Sequence, residues 1–143
     1  MANEKILFHT DRIFAGEPMK EIVKTEAAPR PVGPYSQAIK AGNFLFVSGQ
    51  LPIDPKQDKM VASDIKGQTV RVLENIKAIL ETSHFSLADV VQTNVYLTTL
   101  ALFKDFNDIY SKYFVDNFPA RATVEAALMP GALVEISAIA FKE

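Results

Sequence analysis

The sequence predicts an α+β domain in which two helices pack on one face of a mixed sheet. Strand and helix patterns run in the order ββ–α–β–α–ββ, with helices placed between strands and a hairpin at each end. The 143 residues contain no long linker and no internal repeat, which fits one domain with a real hydrophobic core. The last strand is apolar on both faces. Val134, Ile136, Ala138 and Ala140 line one, while Leu133, Ile139 and Phe141 flank Glu135 and Ser137 on the other. A small domain has one core, so the second apolar face predicts contact between subunits.

Residues 1–18 show no periodicity and end in the turn-like Gly16-Glu17-Pro18, so they are expected to be an appended segment before a domain at 19–143. Pro29, Pro31 and Pro34 make a stiff extended loop up to Tyr35. A hairpin follows, 36–41 and 44–48 about Gly42-Asn43. The unbroken Phe44-Leu45-Phe46-Val47 predicts a central strand covered on both faces. Ser63-Asp64 can cap a helix whose apolar stripe is Val72, Leu73, Ile76, Ile79 and Leu80. His84 falls where that helix should end, as a C-cap residue. Val91, Thr93, Val95 and Leu97 alternate with polar residues as a half-buried strand. Phe103, Phe106, Tyr110, Tyr113 and Phe114 mark a second helix over about 100–116, its aromatic stripe facing the core. Strands at 121–128 and 133–141 close the chain.

Composition narrows the function. Apolar residues are 48% and charged residues 22%, a globular balance rather than a disordered one. No apolar run approaches the roughly 18 residues of a membrane span, and Ile6-Leu7-Phe8 is too short for a signal peptide core. With no cysteine there are no disulfides, thiolate metal sites or cysteine nucleophiles, and a cytoplasmic location is expected. A formal charge of −2 and the lack of a dense Lys/Arg run disfavour nucleic acid as a partner. With His9 and His84 alone, a His-rich metal site is excluded and a Ser-His-Asp triad is weakened. Phosphate-binding and nucleophile-elbow motifs are missing, so no metal and no organic cofactor is implied.

Two charges stand out against that background. Arg121 opens Arg121-Ala122-Thr123-Val124-Glu125-Ala126-Ala127-Leu128, which otherwise reads as core. A guanidinium stays charged when buried, and its fork of donors suits a planar carboxylate. It is therefore either the grip for a small carboxylate ligand or half of a structural ion pair. Glu135 lies among Leu133, Ile139 and Phe141, where a carboxylate needs a partner. It could orient a water or donate a proton, or simply pair with Arg121. Tyr35, after its stiff loop, and Ser48, before Gly49, are the polar groups expected nearest that pair. Asn107 is a hydrogen-bonding partner or a helix-surface residue.

Gly33-Pro34-Tyr35-Ser36-Gln37-Ala38, Ser48-Gly49-Gln50, Gln68-Thr69 with Asn75 through Leu80, Pro119-Ala120-Arg121 and Val134-Glu135-Ile136 occur in order. Over about residues 19–143 this pattern resembles the RidA/YjgF family of reactive-intermediate deaminases, also called the endoribonuclease L-PSP family. The resemblance implies a chorismate-mutase-like fold of the bacillary type, assembled as a barrel-like homotrimer with clefts between subunits. It implies hydrolysis of 2-aminoacrylate-type enamines and imines to 2-keto acids and ammonia, as in a 2-iminobutanoate/2-iminopropanoate deaminase. By position, Arg121 would hold the substrate carboxylate and Glu135 would place the attacking water. Tyr35, Ser48, Gly49 and Asn107 would line the cleft, with Thr123 on its wall. Thr123 stands where many members carry Cys, and Ser137 replaces a second Glu found in some active members. A carboxylate-binding regulatory module and a ribonuclease or translation inhibitor are the alternative functions.

Overall fold

The computed structural model describes residues 19–143, so residues 1–18, expected to be an appended segment, lie outside the described residues. The chain forms β1 (Glu21–Val23), β2 (Ala38–Ala41), β3 (Phe44–Gln50), β4 (Ile53–Asp54), β5 (Lys59–Met60), α1 (Ile65–Thr82), β6 (Val90–Leu97), α2 (Phe103–Tyr113), β7 (Ala120–Glu125) and β8 (Val134–Phe141). Six strands make one mixed sheet in the order β1-β2-β3-β8-β6-β7, and β4-β5 is a separate small hairpin. The β6–β7 pair is parallel, with α2 as its crossover, whereas β8 is antiparallel to both β3 and β6. The predicted α+β class with two helices is the one observed.

Both helices lie against one sheet face. Val72, Leu73, Ile76, Ile79 and Leu80 of α1 are buried, as are Phe106, Ile109 and Tyr110 of α2. They pack with Leu45, Val47, Val95, Leu97 and the Val134, Ile136, Ala138 and Ala140 row of β8 in one core. At about 25 cal/mol per Å² of apolar area, this burial is the main force holding the helices to the sheet. Asp64 caps α1 by accepting the Gly67 N–H at 2.9 Å. At the other end His84 adopts φ +62°, and the Phe85 N–H returns to the Leu80 carbonyl at 2.9 Å. The left-handed residue and this bond terminate the helix as anticipated.

Five expectations change. β7 and β8 do not form the hairpin expected at the C-terminal end, because β6 lies between them and β7 runs parallel to it. Among the described residues the Phe44–Val47 strand is covered on one face only: Leu45 and Val47 are buried, but Phe44 and Phe46 are 42% and 45% exposed. An unbroken apolar run predicts two covered faces, whereas the second face meets no element among the described residues. The strand expected over 121–128 stops at Glu125, leaving Ala126 to Leu128 in a loop. A 3-10 turn, Leu100–Leu102, replaces the first turn of the predicted second helix, and α2 ends at Tyr113. In β6 an irregularity between Val90 and Gln92 leaves Val91 45% exposed, so Val90 supplies the buried position.

Three buried amides brace the loops around the sheet. The Gln37 amide receives the Thr25 N–H at 2.8 Å and donates to carbonyls of Thr25, Ala28 and Pro29, tying down the proline loop. Gln68 donates to Val61 and Gly131 and accepts from Leu133, joining α1 to the start of β8. Asn75, fully buried, donates to the Leu51 and Ile53 carbonyls at 3.2 and 3.0 Å. Asn75→Ala strands both acceptors, each costing about 1–3 kcal/mol. We expect it to lower stability by about 2–4 kcal/mol, read as a lower urea midpoint at unchanged slope.

Candidate active site

The sheet register decides which functional side chains can meet. Arg121 pairs across to Thr93, and Thr93 to Ala138, a row on the helix-covered face. Val124 pairs to Tyr96, and Tyr96 to Glu135, a row on the open face. Because side chains alternate along a strand, Arg121 and Glu135 stand on opposite sides of the sheet. The structural Arg121–Glu135 ion pair considered from the sequence is therefore not formed. Among the described residues the ion pairs are Arg30–Glu26, Lys66 with Asp105 and Asp108, Lys77–Glu81 and Lys104–Asp108. Arg121 and Glu135 belong to none.

Arg121 is exposed rather than sunk in a core strand, because β7 is the last strand of the sheet. The alanines that made its segment look like core lie on an edge. Its guanidinium is nevertheless held. One Nη donates to Asn107 Oδ1 at 2.9 Å. The guanidinium carbon stands 4.7 Å from the Tyr110 ring centroid, 5.6 Å from Phe103 and 5.7 Å from Phe106. Aromatic faces attract a cation without supplying a hydrogen-bond acceptor. The result is an oriented cation whose remaining N–H donors are free for an anion. The stripe predicted as core packing thus has a second task, and only Phe103 of these three rings is exposed.

Tyr110 shows the same electrostatics from the other side. Burial pushes its hydroxyl pKa up, while the bond to Thr93 and the Arg121 charge pull it down. Its oxygen lies 2.7 Å from Thr93 Oγ1, which fixes the ring beneath the guanidinium. Thr123 is on the same face as Arg121, and its Oγ1 is buried without a hydrogen-bond partner among the described residues. The Ala126 N–H bonds to the Leu97 carbonyl on β6. By alternation the backbone groups of Arg121, Thr123 and Glu125 then point off the sheet edge.

The Glu135 half is built differently. Burial alone raises the Glu135 carboxyl pKa above its ordinary value. The carboxylate lies against Gly49, where a Cβ would overlap Oε1 and sit 3.1 Å from Cδ. Glycine is thus required for close approach, not for backbone strain. A cavity of about 300 Å³ adjoins them, lined also by Tyr96, Ser137 and Ala126 to Leu128. Tyr96 had no special standing in the sequence, where it was one polar position of an alternating strand; its register with Glu135 is the missing signal. Ser48 donates to the Ser36 carbonyl at 2.6 Å and so ties the Gly49 segment to the proline loop. Gly49→Ala is expected to swing the Glu135 carboxylate aside at a stability cost below about 1 kcal/mol. The displacement is read as a changed Glu135 side-chain titration, and the small cost as a nearly unchanged urea midpoint.

Tyr35, expected near the Arg121–Glu135 pair, is adjacent to neither in the chain. It is 47% exposed, its hydroxyl accepts the Val32 N–H at 3.3 Å, and it lines a separate cavity of about 600 Å³ with Arg30, Ser36 and Gln37. The proline loop holds it out on the surface, so the stiffness that fixes the ring does not bring it to either residue within one chain. Single-chain geometry therefore brings together Arg121 with Asn107 and Thr123, and Glu135 with Gly49 and the neighbouring Ser48. Tyr35 stands apart.

Comparisons with known proteins agree with the motif order. The family model Endoribonuclease L-PSP matches residues 25–142. A RutC family protein of Pyrococcus horikoshii is 56% identical over 126 residues, covering 87% of this chain and all of that protein. The chloroplastic Reactive Intermediate Deaminase A of Arabidopsis thaliana is 43% identical over 141 residues, covering 98% of this chain and 75% of that protein. The crystal structure of E. coli TdcF with bound serine superposes with a TM-score of 0.81 at 33% identity, covering 86% of this chain and 99% of that one. With this fold, these ordered motifs and a family match across most of its length, the chain belongs to the RidA/YjgF, or endoribonuclease L-PSP, family.

Proposed function

We propose that the chain hydrolyses reactive enamine and imine intermediates of the 2-aminoacrylate type to 2-keto acids and ammonia, as a 2-iminobutanoate/2-iminopropanoate deaminase-like hydrolase. The observation that carries this reading is a pair of complementary half-sites on opposite sheet faces. One is a poised arginine with no carboxylate partner among the described residues, the other a desolvated carboxylate beside a glycine. Neither suffices alone, and each needs a second copy to face it. The open sheet face, with Phe44, Phe46, Ile139 and Phe141, is the apolar surface available for that contact. A homotrimer with clefts between subunits meets the requirement.

Within such a cleft Arg121 holds the substrate carboxylate, Asn107 keeps the guanidinium aligned, and Thr123 forms the wall beside it. Glu135 accepts a proton from water as its oxygen attacks the imine carbon. Glu135 returns that proton to the nitrogen, giving the carbinolamine; transfer of the carbinolamine hydroxyl proton to nitrogen through the same carboxylate then breaks the C–N bond, releasing ammonia and leaving the 2-keto acid. Tyr35, Ser48 and the Gly49 backbone complete the pocket. The imine carbon is already electrophilic, so orientation and proton transfer supply the acceleration.

The test generates imines in situ with a pyridoxal-phosphate dehydratase and follows keto acid and ammonia, with light scattering for the assembly. Acceleration over buffer by a trimer supports the reading. A monomer, or keto-acid binding with no acceleration for any imine, favours the carboxylate-binding module instead. That second reading draws on the separation of Arg121 from Glu135 within one chain, and the name of the TdcF structure records a bound amino acid.

A further inference from the structure

We infer that Thr93 is a positioning residue for the Arg121 grip, fixing through the Tyr110 hydroxyl the aromatic platform that aims the guanidinium. The inference rests on the proposed role of Arg121 as the carboxylate grip and extends it to a residue buried beneath that grip. Thr93 is the β6 partner of Arg121 in the parallel β6–β7 register, so the two side chains stand side by side on the helix-covered face. Its Oγ1 lies 2.7 Å from the Tyr110 hydroxyl, and the Tyr110 ring centroid is 4.7 Å from the guanidinium carbon. Thr93 is 0% and Tyr110 5% exposed, so this contact is set inside one copy, whatever surface a second copy covers.

The grip needs such an anchor. Arg121 is exposed on an edge strand, and a long side chain gives up rotamer freedom on binding unless it is held beforehand. Two of its holds come from one face of α2. Asn107 accepts from an Nη at 2.9 Å, and Tyr110, three residues further along the helix, supplies the nearest ring. Where α2 sits on the sheet therefore decides where the guanidinium points. Apolar packing presses α2 onto the sheet but has no preferred direction. Phe106 and Phe114 flank the Tyr110 ring at 5.4 and 4.7 Å, yet they lie on α2 or at its end and shift with it. The Thr93–Tyr110 hydrogen bond is directional, and it ties the platform to β6, the strand beside the one that carries Arg121. Thr93 thereby joins the Arg121 backbone and the Arg121 platform at one point of the sheet.

The test is calorimetric titration with pyruvate, a stable keto-acid stand-in for the small imines, alongside thermal melts. Thr93→Val keeps the side-chain shape without the hydroxyl and should bind pyruvate about tenfold more weakly. Thr93→Ser keeps the bond and should stay within about threefold of wild type. Tyr110→Phe should match Thr93→Val. The double variant Thr93→Val/Tyr110→Phe separates aim from stability. With both hydroxyls gone no buried polar group is left unpaired, so melting should return toward wild type while affinity stays about tenfold down. Affinity that recovers together with the melting temperature gives Thr93 a purely structural role and overturns the inference. So does wild-type affinity in Thr93→Val when Arg121→Ala has lost pyruvate. Pyruvate binding that survives Arg121→Ala, or is absent from the wild type, overturns the grip reading and this inference together. Because binding is read directly, the expected pattern without imine turnover would support this inference while removing the hydrolase reading.

Discussion

Arg121→Ala is expected to lower kcat/KM for imine hydrolysis by about 100- to 10 000-fold while the protein stays folded. The size follows from two charge-assisted hydrogen bonds to a carboxylate at about 1.5–3 kcal/mol each, with about 1.4 kcal/mol per decade of rate. Stability should change little, because the side chain is exposed and forms no ion pair with the described residues. Loss of cation–π contacts at such a site costs about 0.5–1 kcal/mol each at most. Arg121→Lys keeps the charge but not the fork, and should recover only part of the loss. An independent readout is Tyr110. Arg121 holds its hydroxyl pKa down against burial, so removing the cation should move the Tyr110 titration further up. Activity near wild type in Arg121→Ala, with a displaced Tyr110 titration, would show that the guanidinium is electrostatically present but not used on substrate.

Glu135→Gln should cost about 100- to 10 000-fold in kcat/KM, the usual contribution of a positioned general base. The amide keeps the shape against Gly49 but cannot take the proton. Since burial raises the Glu135 pKa, the acidic limb of the wild-type rate profile should lie above the ordinary glutamate range near 4.3, and should vanish in the variant. The stability sign runs opposite to the activity. A carboxyl with a raised folded pKa stabilises the fold only while both states are protonated, and that contribution is lost as pH rises through the folded value. At pH 7 the wild type therefore carries a desolvated charge that Glu135→Gln lacks. The variant should melt at a higher temperature at pH 7, and the advantage should shrink as pH falls through the ordinary glutamate range. A variant less stable at neutral than at acid pH, relative to wild type, would mean that Glu135 is held as a stabilised carboxylate.

The two half-sites also explain how far the sequence could be read. Arg121 and Glu135 are visible in the sequence as charges in apolar strands. Their relation was not visible, because an ion pair and a divided cleft look alike until strand neighbours are known. The Asn107–Arg121 bond spans 14 residues and depends on α2 crossing back beside β7. Asn75, Gln37 and Gln68 stood out in sequence as motif letters. Their side chains turn out to serve loop carbonyls, a duty that follows from where the loops fold and not from residue type. Thr123 was placed on the Arg121 side by simple alternation, and the register agrees.

Periodicity and punctuation by themselves determined the two amphipathic helices, the ends of the first at Asp64 and His84, and the α+β class, while the ordered motifs carried the family resemblance. These are local or pairwise properties of the chain, set by side-chain spacing and by backbone preferences at single residues. Tertiary structure alone decided that β7 is an edge, that the Phe44–Val47 strand has an open face, and that Arg121 and Glu135 face away from each other. Those outcomes depend on strand order and on register, where a shift of one residue turns every side chain to the other side of the sheet.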